Sequence, residues 1–427
     1  MESIIVCGGR RLSGEVAVEG AKNSALKLMA ASLMVDGVTR LTNVPEISDV
    51  DIMAEVLVRL GASVERSDHA LQIDATTLTS HEAPYELVAM MRASTAVLGP
   101  LLARLGLARV ALPGGCNIGS RKIDMHMHGL EALGVVMELA HGYISASVPE
   151  TGLQGAHTIL DFPSVGATEN LLMAAVTASG TTIIENAARE PEIGDLADFL
   201  VSMGARITGI GSSVLTVEGV DVLSPVEHRV VGDRIEAGTF LVAGAMTGGP
   251  VTVTGFDPAH LEIVLRKLVE CGCDLDVGVD RVTVSRTGPV RSVEVQTLPF
   301  PGFPTDMQAQ FMAMLTVAQG GAIITENVFE NRFMCAGELG RMGADIRIEG
   351  HHALVKGVDE LSGAPVKSTD LRGGAALVLA GLIAQGETVV TEIEHIDRGY
   401  ERFCDKLAAL GANIMRRSDV TDFDGAC

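Results

Sequence analysis

The hydrophobic pattern of the chain repeats. An Ala/Leu-rich stretch of helical character recurs, as in Ala25–Met34, Leu171–Ala178 and Ala375–Ala384, and a Gly and a short strand follow, as in Thr181–Glu185 and Thr388–Glu392. A second helical stretch then runs into a triplet of apolar residue, Gly and small residue. The triplets are Leu60-Gly61-Ala62, Leu133-Gly134-Val135, Met203-Gly204-Ala205, Cys271-Gly272-Cys273, Met342-Gly343-Ala344 and Leu410-Gly411-Ala412. Each Gly is placed to end a helix in the left-handed conformation. Second helices are expected over Asp49–Leu60, with Ser48 as N-cap, and over Arg398–Leu410. One or two strands finish each unit, as in Ser63–Arg66 and Ala70–Ile73. Counting the strand before each first helix, the unit is βαβαββ, and it occurs six times.

The repeated glycines lie 68 to 73 residues apart, a period too long for a solenoid, so the six units divide into globular domains of three. The boundary falls near Val231-Gly232-Asp233, and a second crossing near Gly20-Ala21-Lys22. The expected α/β domains are residues 22–231 and residues 1–21 with 232–427. Two connecting strands permit hinge closure over a ligand.

Composition narrows the function. With 3% aromatic residues, the cores are built from Ala, Val, Leu, Ile and Met. A net charge of −22 disfavours nonspecific binding to nucleic acid or to an anionic membrane, so any anionic ligand needs a local cluster of cations. The seven cysteines form no CxxC pair and no small-domain disulfide framework, which fits a reducing compartment. Cys271 and Cys273 occupy the repeat's apolar positions, and Cys7, Cys335 and Cys404 sit in apolar patterns, so all five are expected in cores. The longest apolar run, Ala375–Ala384, is too short to span a bilayer, and the N-terminus lacks a signal-like pattern. A cytoplasmic protein with no obligate protein partner is expected.

Cys116 lies in Leu112-Pro113-Gly114-Gly115-Cys116-Asn117-Ile118-Gly119-Ser120-Arg121, between a strand over Ala108–Leu112 and a helix over Arg121–Leu133 capped by Ser120. A thiol at the edge of a helix N-terminus and a guanidinium gains thiolate character, which makes Cys116 the candidate reactive residue. The loop departs from a P-loop, because Ser120-Arg121 stands where Lys-Ser/Thr is required.

Cations recur where helix dipoles disfavour them: Lys22, Arg92, Arg121, Arg189, Arg234, Arg332, Arg372 and Arg398. The expectation is that these helix starts face a cleft for a polyanion, with Glu190, Asp233, Asp370 and Asp397 holding some of the cations. Asp306, after Phe303-Pro304-Thr305, serves either as an N-cap or as a base for a substrate hydroxyl. His126 and His128, two apart on a helix, do not share a face, and no metal site is expected.

Six segments taken together, Gly20-Ala21-Lys22-Asn23, the Pro-Gly-Gly-Cys loop, Ser164-Val165-Gly166-Ala167-Thr168, Glu185-Asn186-Ala187-Ala188-Arg189-Glu190-Pro191-Glu192, Phe303-Pro304-Thr305-Asp306-Met307-Gln308-Ala309-Gln310 and His395-Ile396-Asp397-Arg398-Gly399-Tyr400-Glu401-Arg402, resemble the enolpyruvyl transferase family in its UDP-N-acetylglucosamine branch. The resemblance implies two inside-out α/β barrel domains of three βαβαββ units each, with the N-terminal strand in the C-terminal domain. It implies transfer of the enolpyruvyl group of phosphoenolpyruvate to the 3-hydroxyl of UDP-N-acetylglucosamine, at the first committed step of peptidoglycan synthesis, without cofactor or metal. It carries the general acid onto Cys116 and the base onto Asp306. Lys22, Arg121 and Arg398, with Asn23, take the place of the cations that hold phosphate and carboxylate. Arg92, Arg121 and the backbone around Ser164, Val165 and Val328 correspond to nucleotide-sugar contacts, and Asp370 and Arg372 to supporting groups. One departure is Asp161-Phe162-Pro163, where some members carry a Lys near the diphosphate.

Two alternatives share the repeat. A shikimate-pathway enolpyruvyl transferase is opposed by the Pro-Gly-Gly-Cys loop, and an RNA-end cyclase by the net charge. A third is a non-catalytic paralogue that binds the nucleotide sugar, which the presence of Cys116, Asp306, Lys22 and Arg398 opposes. The C-terminal segment Arg417–Cys427 is expected to be disordered.

Overall fold

The computed structural model describes residues 2–112 and 123–418. The reactive-loop residues Cys116 and Arg121, the Ser120 cap and all of the C-terminal segment after residue 418 lie outside that range.

Two compact units are formed, one from residues 2–19 and 232–418, the other from residues 20–112 and 123–231. The first crossing lies between Glu19 and Gly20, two residues ahead of the position read from the sequence, because Ala21 already donates its N–H to Val231 O at 2.6 Å within the second unit.

Six four-stranded sheets are present among the described residues, each with one parallel pair followed by two antiparallel pairings. The unit spanning His157–Glu218 shows the pattern: His157–Ile159 runs parallel to Thr181–Glu185, which pairs antiparallel with Val214–Glu218, which in turn pairs with Arg206–Thr208. Between the strands lie helices Val165–Ala175 and Pro191–Ser202. This is the βαβαββ unit. Two strands serve sheets distant in sequence. Gly14–Ala17 lies parallel to Val251–Thr254, and Glu227–Arg229 lies parallel to Val38–Thr42. The N-terminal strand Ser3–Cys7 sits between Glu387–Thr391 and Asn413–Arg417 and completes the last sheet.

In both units the first helices of the repeats are almost wholly buried and the sheets keep an exposed face, so the α/β fold is inside-out. Every residue of Gln308–Leu315 is buried, as is every residue from Arg372 to Leu382 in helix Leu371–Ile383. A helix buried on all sides cannot be amphipathic, which explains its Ala, Leu and Gly content. Close approach demands the glycines: a Cβ on Gly99 would meet Asn170 O at 2.5 Å, where helix Leu98–Leu105 crosses helix Val165–Ala175. Each unit encloses its own apolar core.

All six repeated glycines have positive φ, between 89° and 112°, as their capping role requires. Three local expectations are corrected. Ser48 is the first residue of its helix and not its cap; Ile47 holds that position, and its carbonyl accepts from Val50 N. Of the helix expected over Arg398–Leu410 only Phe403–Ala409 forms, and a separate short helix, Glu394–Asp397, precedes it across a break that holds Arg402 at φ +48°. The break lets Tyr400 turn inward beneath Arg372. Cys7, Cys271, Cys273 and Cys335 are buried as expected, but Cys404 is only half-buried; Cys7 is disulfide-bonded and the other four are free.

Candidate active site

In the unit of residues 232–418 the site is built on Asp306. Pro304 sends the chain into the short 3-10 turn Thr305–Met307, which leads into helix Gln308–Leu315. Asp306 does not cap that helix. Its Oδ1 accepts from Arg332 Nη2 at 2.7 Å and its Oδ2 from Arg372 Nη2 at 3.2 Å. Both arginine side chains are buried, to 4% and 2% exposure, while Asp306 keeps 24%. Burial opposes its ionisation, but Arg372 and Arg332 outweigh that cost and hold the carboxyl well below the usual carboxylate range. The same arrangement keeps Arg372 charged despite burial.

The arginines are fixed in turn. Asp370 caps helix Leu371–Ile383, accepting from Arg372 N at 2.9 Å and Gly373 N at 3.1 Å. The Arg372 guanidinium lies 5.2 Å from the centre of the Tyr400 ring, in cation–π range. Tyr400 Oη shares hydrogen bonds with Thr239 Oγ1 at 3.0 Å and Gln310 Nε2 at 3.3 Å, and Gln310 Nε2 also donates to Asp306 O at 2.9 Å. Arg398 immediately follows helix Glu394–Asp397, two residues before Tyr400. Val328 donates its N–H to Glu326 Oε1 at 2.8 Å.

In the unit of residues 20–231, Lys22 opens helix Lys22–Ala31 next to Asn23. Its Nζ lies 2.7 Å from Asp49 Oδ2, whose side chain is 1% exposed. The same helix is anchored through Ser24 to Asp195, which also accepts from His228 Nε2 at 2.7 Å and Val231 N at 3.2 Å. Arg92 begins the 3-10 turn Arg92–Val97. Ser164 caps helix Val165–Ala175 by accepting from Ala167 N, so its hydroxyl is a cap as well as a candidate contact. Asn170 of that helix links Gly99 N, Thr95 O and His126 Nδ1. Burial, with Arg92 and Lys27 nearby, pushes the His126 imidazole down to about 4, so it is neutral near pH 7. Phe162, at the departure noted above, is 37% exposed.

Among the acids that accompany the helix-start cations, Asp233 acts electrostatically on Arg372. Asp233 and Asp370 cap helices, while Asp397 binds Arg416 at 3.1 and 2.5 Å. The partners of Lys22 and Arg372 come from distant segments, Asp49 and Asp306. Glu326, Tyr400, Gln310 and Asp49 were not singled out from the sequence. The available signal was the position of Tyr400, two residues beyond Arg398.

A twofold set of three βαβαββ units, with cations at the starts of buried helices and a carboxylate held between two arginines, defines a group-transfer enzyme for anionic substrates. The chain belongs to the enolpyruvyl transferase family, matching the EPSP synthase (3-phosphoshikimate 1-carboxyvinyltransferase) family over residues 6–407. UDP-N-acetylglucosamine 1-carboxyvinyltransferase 2 of Carboxydothermus hydrogenoformans is 53% identical over 421 residues, covering 98% of this chain and all of that protein. UDP-N-acetylglucosamine 1-carboxyvinyltransferase 1 of Staphylococcus aureus is 52% identical over 422 residues, with the same coverage. Among solved structures, the enolpyruvyl transferase NikO from Streptomyces tendae superimposes with a TM-score of 0.87 at 26% identity, covering 97% of this chain and 98% of that one. EPSP synthase from Acinetobacter baumannii, at 17% identity and TM-score 0.76, shares the fold.

Proposed function

We infer that this chain transfers the enolpyruvyl group of phosphoenolpyruvate to the 3-hydroxyl of UDP-N-acetylglucosamine, with release of phosphate, at the first step of peptidoglycan synthesis. The observation that carries this reading is identity above one half, over essentially full length, to relatives named for that activity. The described cations and the Asp306 cluster supply matching chemistry.

Addition needs a proton on the methylene carbon of phosphoenolpyruvate and an oxygen nucleophile on the neighbouring carbon. Cys116 is assigned the proton donation, and Asp306 accepts the proton of the sugar hydroxyl. A carboxylate held ionised by two arginines is a weak base, but a weak base suffices here, because the hydroxyl proton becomes acidic as its oxygen bonds to an electron-poor carbon. Elimination of phosphate and of a proton from the new methyl group then restores the enol ether. Lys22, Arg121 and Arg398, with Asn23, are assigned to phosphate and carboxylate, whose charge preorganised cations neutralise without reorganisation. Arg92, Arg121, Ser164, Val165 and Val328 are assigned to the nucleotide sugar, and Asp370 and Arg372 to support of Asp306.

Anionic, water-borne substrates support the reading of a cytoplasmic enzyme. Among the described residues no helix is long and apolar enough to cross a membrane. The test is phosphate release from phosphoenolpyruvate by the purified chain, with UDP-N-acetylglucosamine and shikimate 3-phosphate supplied separately. Release only with the nucleotide sugar is expected; release only with shikimate 3-phosphate, or with neither, overturns the assignment.

A further inference from the structure

Glu326 follows strand Gly321–Thr325, is 3% exposed, and has both carboxylate oxygens engaged. Oε1 accepts from Thr297 Oγ1 at 2.8 Å, Val328 N at 2.8 Å and Phe329 N at 3.0 Å. Oε2 accepts from Thr305 Oγ1 at 2.9 Å. A buried carboxylate is costly unless hydrogen bonds replace its water, and here four do so.

The placement of those four donors is informative. Thr305 immediately precedes Asp306. Val328 and Phe329 begin the segment that ends at Arg332, and Arg332 returns to Asp306 Oδ1 at 2.7 Å. The turn bearing the candidate base and the segment bearing Val328 are therefore clasped at two points, by Asp306 with Arg332 and by Glu326 with Thr305. Arg372 and Gln310 also hold Asp306, but of these contacts only the Glu326 clasp ties Thr305 to the 328–329 backbone.

We propose that Glu326 is a positioning residue for the nucleotide sugar, holding the Thr305-Asp306 turn and the Val328 backbone in one frame so that base and sugar contact keep a fixed spacing. This rests on the assignment of Asp306 and Val328 given above. The demand is on reach and acceptor geometry rather than on charge. Gln keeps an acceptor for the two N–H groups, and its amide can face a Thr305 hydroxyl rotated to accept. Asp is one methylene too short to hold Thr305 and the 328–329 N–H groups together. Misplacement of about 1 Å at a reacting group costs up to about a hundredfold in rate.

The test compares Glu326→Asp, Glu326→Gln and Thr305→Val in steady-state phosphate release, in calorimetric binding of UDP-N-acetylglucosamine, and in thermal unfolding. Expected are a rise of about tenfold or more in both KM and Kd for the nucleotide sugar in Glu326→Asp, a smaller rise in Thr305→Val, and KM for phosphoenolpyruvate within about twofold throughout, with Glu326→Gln close to wild type. The proposal is overturned if folded Glu326→Asp keeps its sugar Kd, if both substrates weaken equally, or if Glu326→Gln is as damaged as Glu326→Asp. Should Glu326→Asp not fold, Thr305→Val decides alone, and unchanged sugar affinity there overturns the proposal. Wild-type protein that binds the sugar but releases no phosphate would instead defeat the proposed reaction, with the sugar Kd values still deciding the role of Glu326.

Discussion

Arg332 Nη2 lies 2.7 Å from Asp306 Oδ1, an arginine buried to 4% exposure against a carboxylate that keeps 24%. With Arg372 on the other oxygen, Asp306 is ionised throughout the physiological range yet open on one side. Replacing it by Asn removes the proton acceptor but keeps its shape. The expected result for Asp306→Asn is a fall in kcat of at least about a hundredfold, with nucleotide-sugar Kd changed only a few fold. Parallel losses in kcat and sugar affinity would make Asp306 chiefly a binding residue.

Lys22 has a structural partner as well as a proposed substrate role. Removing its charge takes a cation from beside Asp49, whose side chain is 1% exposed, and breaking such a buried pair costs about 3 kcal/mol. Lys22→Met should lower both Tm and turnover. Adding Asp49→Asn should recover most of the Tm while turnover stays low; recovery of both, measured by calorimetry and phosphate release, would show that the role of Lys22 is stability alone.

Burial raises the Glu236 carboxyl to about 7, and this outweighs the pull of Lys406 Nζ at 2.8 Å. The folded chain thus holds this proton at pH values where the unfolded chain, with an ordinary Glu near 4.3, has lost it. The contribution is fully present below the unfolded value and is lost as pH rises to about 7, so stability from this group falls across that window, by up to about 4 kcal/mol. Urea unfolding of wild type and Glu236→Gln between pH 4.5 and 7.5 checks the sign. The difference should shift steadily with pH, and a pH-independent difference would refute it.

Four of the cysteines should be slow to alkylate. Burial pushes the thiols of Cys271 and Cys335 up to about 12 and those of Cys273 and Cys404 up to about 11, so little thiolate exists near pH 7. Cys116, which lies outside the described residues, is expected to react first with fosfomycin, an anionic epoxide that the cations assigned to phosphate and carboxylate would guide to a thiolate. Peptide mapping by mass spectrometry should find the adduct on Cys116; label spread over the other cysteines would remove the basis for a reactive loop.

The repeat was legible because it is local. A helix that ends in a left-handed residue requires Gly, so six glycines at near-constant spacing marked six units, and all six have the positive φ that role predicts. The Asp306 turn and the helix opening at Lys22 were legible for the same reason, since a turn or a helix start is dictated by a few adjacent residues. The break after Asp397 was not, because nothing local forbids a helix from Arg398 to Leu410; the chain turns where Tyr400 finds Arg372 and Thr239.

By itself, then, the sequence determined the unit, its sixfold recurrence, the α/β class and the residue types that meet anions. Tertiary structure alone decided that Asp306 is an ionised carboxylate between two buried arginines and not a helix cap, that Lys22 is paired with Asp49, and that Glu227–Arg229 completes the first sheet beside Val38–Thr42. The physical reason is range. Caps, turns and periodicity depend on neighbours within a few residues, whereas the charge state and orientation of Asp306 depend on Arg332 and Arg372, 26 and 66 positions away, which only the packed core brings into contact.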